Sequence, residues 1–501
     1  MKRLLFPFII LVAAVASVVG TTPHASARRH VSASPSPSST PVPLPTATPE
    51  PPSIAIPRLQ ARIKANPQDQ EAMVELAGQY LAINRPDLSL PLTQKLLQEG
   101  DKTAQVYFLD GYSQQAEGQI DNAIQDLENA STLDPTNVAV LGNLTDLYLA
   151  VNRPQDAQRV ANRAITFNPT VPDAYIALGS VYSAQSHYED ARIQFEKAFA
   201  LDKTSTKPLF SIAQTYVAQN NIPMALSTID RILAVDPTSV EALVNRADLY
   251  GREHDQAHAL EAYDDAAVAA PTDEQKIAIE VRKAQYLSSL HKEDQAAAIY
   301  THLLSTYPNI ALSHVAYGAF LATERHRPDQ GVAEWQKALA LDADNEDALR
   351  DMAEYDLQHH HATDAERYLK HLVSVAPSAQ AYEMLASAYN QLHDFTDQRK
   401  ACSLSFSLQR SPETLGCIGG ADFELHNYHE AAQIFDVLDA AAHSYLDANP
   451  ELLFVAARTY AGDHQRDKAI GTYQRLLALL PRGTDSYRQI QKALAKLNHR
   501  P

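Results

Sequence analysis

Apolar and small side chains recur along this chain in a two-helix rhythm. In the stretch PDAYIALGSVYSAQSHYEDARIQFEKAFALDK, beginning at Pro172, Leu178, Gly179 and Tyr182 fall on one helical face. A polar break follows, and then Tyr188, Ala191, Phe195 and Ala198 mark a second helix at three- and four-residue spacing. The neighbouring segments fit the same 34-residue frame, with starts at residues 70, 104, 138, 172, 206 and 240. After small insertions the frame resumes at 277, 312, 346, 379, 412 and 450, which makes twelve copies. Each copy predicts a helix A, a turn and a helix B.

The columns of this frame have physical reasons. Position 8 is small in every copy, for example Ala77, Gly111, Gly179, Ala319 and Gly419, because helix A must approach its own helix B there. Position 20, on helix B opposite that contact, is Ala in nine of the twelve copies. Position 24 is mostly large, as in Phe195, Tyr263, Tyr300, Trp335 and Phe435, and fills the space between layers. Pro at position 32, as in Pro135, Pro169 and Pro237, stops helix B. Pro86, Pro154 and Pro328 open helix B, where a missing N–H costs nothing.

This pattern resembles the tetratricopeptide repeat (TPR) family over about residues 58 to 498. The resemblance implies an all-α fold: a right-handed superhelical solenoid of about twelve helix-turn-helix TPR units with a C-terminal capping helix. The expected organisation is an N-terminal capping helix over 58–69, twelve repeats over 70–483, and a capping helix with tail over 484–501. The tenth copy departs most, since Gln398 and Cys402 replace the expected Ala and aromatic.

Ahead of the repeats, Lys2 and Arg3 precede an apolar run from Leu4 to Val19, with Ala25–Ala27 offering small residues for cleavage. Residues 1–27 are therefore expected to be a signal peptide or an uncleaved N-terminal anchor. Either places the folded part outside the cytoplasm: periplasmic, envelope-associated or secreted. Residues 28–57 are dense in Pro, Ser and Thr and are expected to be a disordered linker. The formal charge of −18 argues against nucleic acid or an anionic membrane surface as the main partner. Membrane contact is expected only through the N-terminal anchor.

Within this family the concave face is lined largely by helix A, at positions 2, 5, 9, 12 and 13. Carried onto this chain, position 5 supplies an apolar floor of Val74, Phe108, Ile176, Phe210, Val244, Val281 and Phe454. Positions 2 and 9 supply an acidic rim that includes Asp146, Asp173, Glu241, Asp248, Asp347, Glu354, Glu413 and Glu451. Lys207, Arg350 and Arg458 interrupt it. The carboxylate clamp of chaperone-binding relatives is missing, since no Asn stands at position 9. The expected partner is a protein with an extended or helical segment carrying apolar anchors and basic residues.

Chemistry is hard to find. The sequence holds no GxxxxGK[ST], HExxH or GxSxG motif, so no catalytic residue, cofactor, metal or small-molecule substrate is expected. Cys402 and Cys417 flank a turn near residue 410 at similar distances, which fits either a disulfide between adjacent repeats or two small buried side chains. His359, His360 and His361 suggest a metal tract, but His360 falls at position 15, the end of helix A. That column reads Asn84, Gly118, Asn152, Ser186, Asn220, His254, His291, His326, His360, His393, His426 and His464. Gly, Asn and His all suit a left-handed helix cap. The functional expectation is a non-catalytic exported scaffold in envelope assembly, pilus biogenesis or polysaccharide export. The alternative is an accessory subunit of an envelope glycosyltransferase or peptidase.

Overall fold

The computed structural model describes residues 50–498. The expected leader over 1–27, and the linker as far as residue 49, lie outside the described residues. Among the described residues there are 27 helices and no strand. Twelve A–B pairs account for most of them. All twelve B helices begin at the seventeenth position of the frame, from Pro86 to Arg466. Each helix packs on its neighbours in sequence, and several A helices also meet the A helix of the next repeat. The result is an all-α superhelical solenoid.

Local sequence sets the helix ends. Asn137, Ser239, Asn345 and Ser378 cap A helices by accepting backbone N–H groups with their side chains. At the other end, all twelve position-15 residues have positive φ, from 51° at His326 to 74° at Gly118. His361 N–H donates to Asp356 C=O at 2.8 Å, and His360 N–H donates to Leu357 C=O at 3.3 Å. This paired closure satisfies the last carbonyls of the A helix. The triple histidine is thus part of a helix-ending turn.

The small columns do the packing expected of them. The nine position-20 alanines are fully buried. In the fourth repeat Gly179 lies against the buried Phe195, and a β-carbon at Gly179 would sit 2.4 Å from the ring.

The frame shifts in three places. In the eighth repeat helix A spans Ala311–Thr323, so it starts one residue early. The small residue facing Trp335 is therefore Gly318 rather than Ala319, with a β-carbon there only 2.6 Å from the indole nitrogen. The turn takes up the extra residue, and Arg327 N–H reaches back to Leu321 C=O at 2.8 Å. In the seventh repeat helix A gains a turn and spans Asp273–Ser289. A short helix, His443–Ala448, is inserted before the twelfth repeat.

The N-terminal helix is Pro52–Ala65, six residues ahead of the expected 58–69, so the linker's last residues are helical. Pro52 stands at the helix start, where its ring is tolerated. Burial of Ala55 and Leu59 offsets the cost of Pro57 inside the helix. The final helix is Asp485–Asn498.

Candidate functional site

Three clefts open along the A helices, on the face that the family resemblance makes the concave one. One, of about 440 Å³, spans repeats three to five and is lined by Asp146, Asp173, Ile176, Ser180, Lys207 and Ser211. A second, of about 500 Å³, joins repeats five and six between Phe210, Gln214, Val217, Asn245, Asp248 and Arg252. The third, of about 760 Å³, lies at the C-terminal end and includes Glu413, Cys417, Tyr445 and Glu451.

The apolar side chains expected to floor this face are partly sealed. Val74, Phe108, Phe210, Val244, Val281 and Phe454 are half-buried, each packed against a core cluster of its own or adjoining repeats. Ile176 is buried outright. Tyr112, at position 9 beside Phe108, adds an exposed ring that the apolar column did not single out. Reading position 9 for aromatics as well as acids would have found it.

The cations of the inner face are already engaged. Lys207 pairs with Asp173 at 3.3 Å, and Arg350 pairs with Asp347 at 2.5 Å. Arg458 lies over the rings of Phe423 and Phe454, at 4.7 and 5.8 Å. Asp248 is bound by Arg282 and accepts the Tyr263 hydroxyl, both at 2.5 Å, so it ties the sixth repeat to the seventh. Glu354 accepts from the Gln358 amide at 3.0 Å.

Several carboxylates keep no cation. Among the described residues, Asp146, Glu241, Glu413 and Glu451 are exposed and form no ion pair. Asp146 is open to solvent at its edge but lies in the groove, where partial desolvation raises its carboxyl above the usual range, with the Lys207 charge opposing. Asp351 is pushed up to about 7, first by burial and then by the charges of Asp347 and Glu354. Asp351 stands at position 6, which the sequence reading did not include. A face with this balance attracts positive charge and offers apolar surface beside it. Among the described residues, no group of three His, Cys, Asp or Glu side chains is placed to hold a metal ion.

Cys402 and Cys417 are bonded to one another, with Cα atoms 6.0 Å apart, within the range a disulfide spans. Cys402 is buried at position 24, where six other repeats carry a ring. Cys417 reaches the wall of the C-terminal cleft.

Three family models described as tetratricopeptide repeat match residues 114–181, 172–205 and 210–274. The second of these ranges coincides with the fourth repeat. No curated protein matches the chain. Among solved structures, a thermophilic TPR protein from Thermus thermophilus is 19% identical, with TM-score 0.33, covering 36% of this chain and 98% of its own. A tetratricopeptide repeat protein from Parabacteroides merdae is 16% identical, with TM-score 0.37, covering 48% and 93%. PilF of Pseudomonas aeruginosa is 18% identical, with TM-score 0.32, covering 44% and 96%. With the 34-residue frame visible in the helices and the family models falling inside it, the chain carries tetratricopeptide repeats.

Proposed function

We propose that this protein is an exported, non-catalytic scaffold that binds a protein partner of the cell envelope through its inner face. The observation that carries the reading is the unpaired carboxylates, Asp146, Glu241, Glu413 and Glu451, set among half-buried apolar side chains. Such a surface favours a segment with Lys or Arg beside apolar anchors. Export rests on the sequence of residues 1–27, with Lys2 and Arg3 ahead of an apolar run and small residues after it. Envelope assembly, pilus biogenesis and polysaccharide export are the settings proposed.

The test is capture of partners from an envelope fraction with the native chain and with Phe108→Asp/Phe210→Asp. Loss of a specific partner with helicity unchanged supports the reading. Unchanged capture places the interface elsewhere. Affinity for that partner should also fall with added salt, because exposed charges are screened over about 10 Å at 0.1 M. A salt-independent affinity removes the electrostatic part.

A further inference from the structure

The C-terminal cleft is built partly from chain that the repeat does not supply. The inserted helix His443–Ala448 forms one wall with Tyr445. It is anchored by the buried Leu446 and by Arg475, which binds Asp447, Asp439 at 2.7 Å and the His443 carbonyl at 3.2 Å. The start of the final helix forms another wall through Ser486. Leu452, Val455 and Leu480 supply apolar surface, and an adjoining recess of about 160 Å³ adds Phe454 and Ile490. Gly416 leaves room for Leu452, whose Cδ2 would lie 2.7 Å from a β-carbon there.

Its charge is one-sided. Glu413 and Glu451 line the cleft, both exposed, and among the described residues neither is in an ion pair and no Lys or Arg lines it. Elsewhere on the inner face, Asp173, Asp248 and Asp347 are met by cations of this chain. The Tyr445 hydroxyl is raised by burial and then by the charge of Glu413, which places that carboxylate's field across the cleft. The volume of about 760 Å³ is within the range of roughly 300–1,000 Å³ typical of ligand pockets.

We propose that this cleft is the anchor point of the groove, and that it takes a peptide segment presenting Lys or Arg next to a bulky apolar side chain. The cation answers Glu413 and Glu451, and the apolar side chain covers Leu452, Val455 and Leu480. The proposal rests on the scaffold reading above and adds where the partner is gripped. The disulfide, which fastens the helix carrying Glu413 to the preceding repeat, holds this wall in place before binding.

The experiment uses the full chain and short fluorescein-labelled peptides of alternating Leu and Lys, Leu and Glu, or Ser and Lys, read by fluorescence anisotropy. The Leu–Lys peptide should bind, and Glu413→Gln/Glu451→Gln should weaken it about tenfold or more, with circular dichroism unchanged. Asp121→Asn/Asp190→Asn, exposed on B helices, should change it less than about twofold. The Leu–Glu and Ser–Lys peptides should bind at least about tenfold more weakly. Weakening by Asp146→Asn/Glu241→Gln alone overturns the anchor but leaves the scaffold reading intact. Equal binding of the Ser–Lys peptide overturns the apolar contact and with it the proposal. No binding of the Leu–Lys peptide overturns it as well, while the capture experiment with Phe108→Asp/Phe210→Asp judges the scaffold reading separately.

Discussion

Gly179 and Phe195 pack so closely that a β-carbon on the first would lie 2.4 Å from Cε1 of the second. Phe195 is buried and fills the space between layers, so it has nowhere to retreat. Gly179→Ala should therefore destabilise the fourth repeat by about 1–3 kcal/mol, the usual cost of overpacking. Long repeat arrays need not unfold in one step. The measurement is hydrogen exchange in Pro172–Ala184 and Tyr188–Leu201, and unchanged protection there would contradict the packing argument.

His360 sits at φ 60°, in the left-handed region, with both neighbouring histidines in the same turn. A capping role and a metal role predict different substitutions. His360→Asn and His360→Gly should keep stability within about 0.5 kcal/mol, because both residues accept this conformation. His360→Val should cost about 1–2 kcal/mol, from its β-carbon and branched side chain. Urea denaturation of the three variants decides between the roles.

Asp110 is buried between the first and second repeats, where Thr93 Oγ1 and the Gln114 amide donate to it. Burial pushes its carboxyl up to about 7, with Asp126 adding to the rise and the Thr93 hydrogen bond opposing it. The folded state therefore holds this proton more tightly than the unfolded chain, where an Asp ionises near pH 4. Its contribution is complete below that range and is lost as pH rises through about 7. Asp110→Asn should remove this dependence. Its urea midpoint relative to the native protein should rise between about pH 5 and about pH 8. A constant difference would show that Asp110 is ionised in the fold.

Cys402 and Cys417 close a loop of 15 residues. A crosslink of that length contributes up to about 3 kcal/mol by restricting the unfolded chain. Reduction, or Cys402→Ser/Cys417→Ser, should lower exchange protection in Phe395–Leu408 and Pro412–Glu424 first. Protection lost evenly along the array would refute a local clamp.

The pairs of helices were legible because their punctuation is chemical. Pro86 and Pro154 can open a helix, and Asn84, Gly118 and His254 can close one. The eighth repeat misled because Gly318 and Ala319 are both small, and only the Trp335 ring shows which faces helix B. Pro57 hid the first helix, since local propensity argues against a helix that burial of Leu59 sustains. On the inner face, the acidic and apolar columns were readable from spacing. What spacing could not tell is which charges are already satisfied. Lys207–Asp173 is a bond between equivalent positions of adjacent repeats, and Arg458 lies over Phe423 across a repeat boundary.

The Cys402–Cys417 bond also has a mechanical meaning. A scaffold held at one end and gripped at the other carries tension along its backbone. At this point the load passes from sulfur to sulfur, and the enclosed loop is bypassed. The 15 residue steps from one cysteine to the other could otherwise extend to about 50 Å of chain. That slack is withheld while the bond is intact.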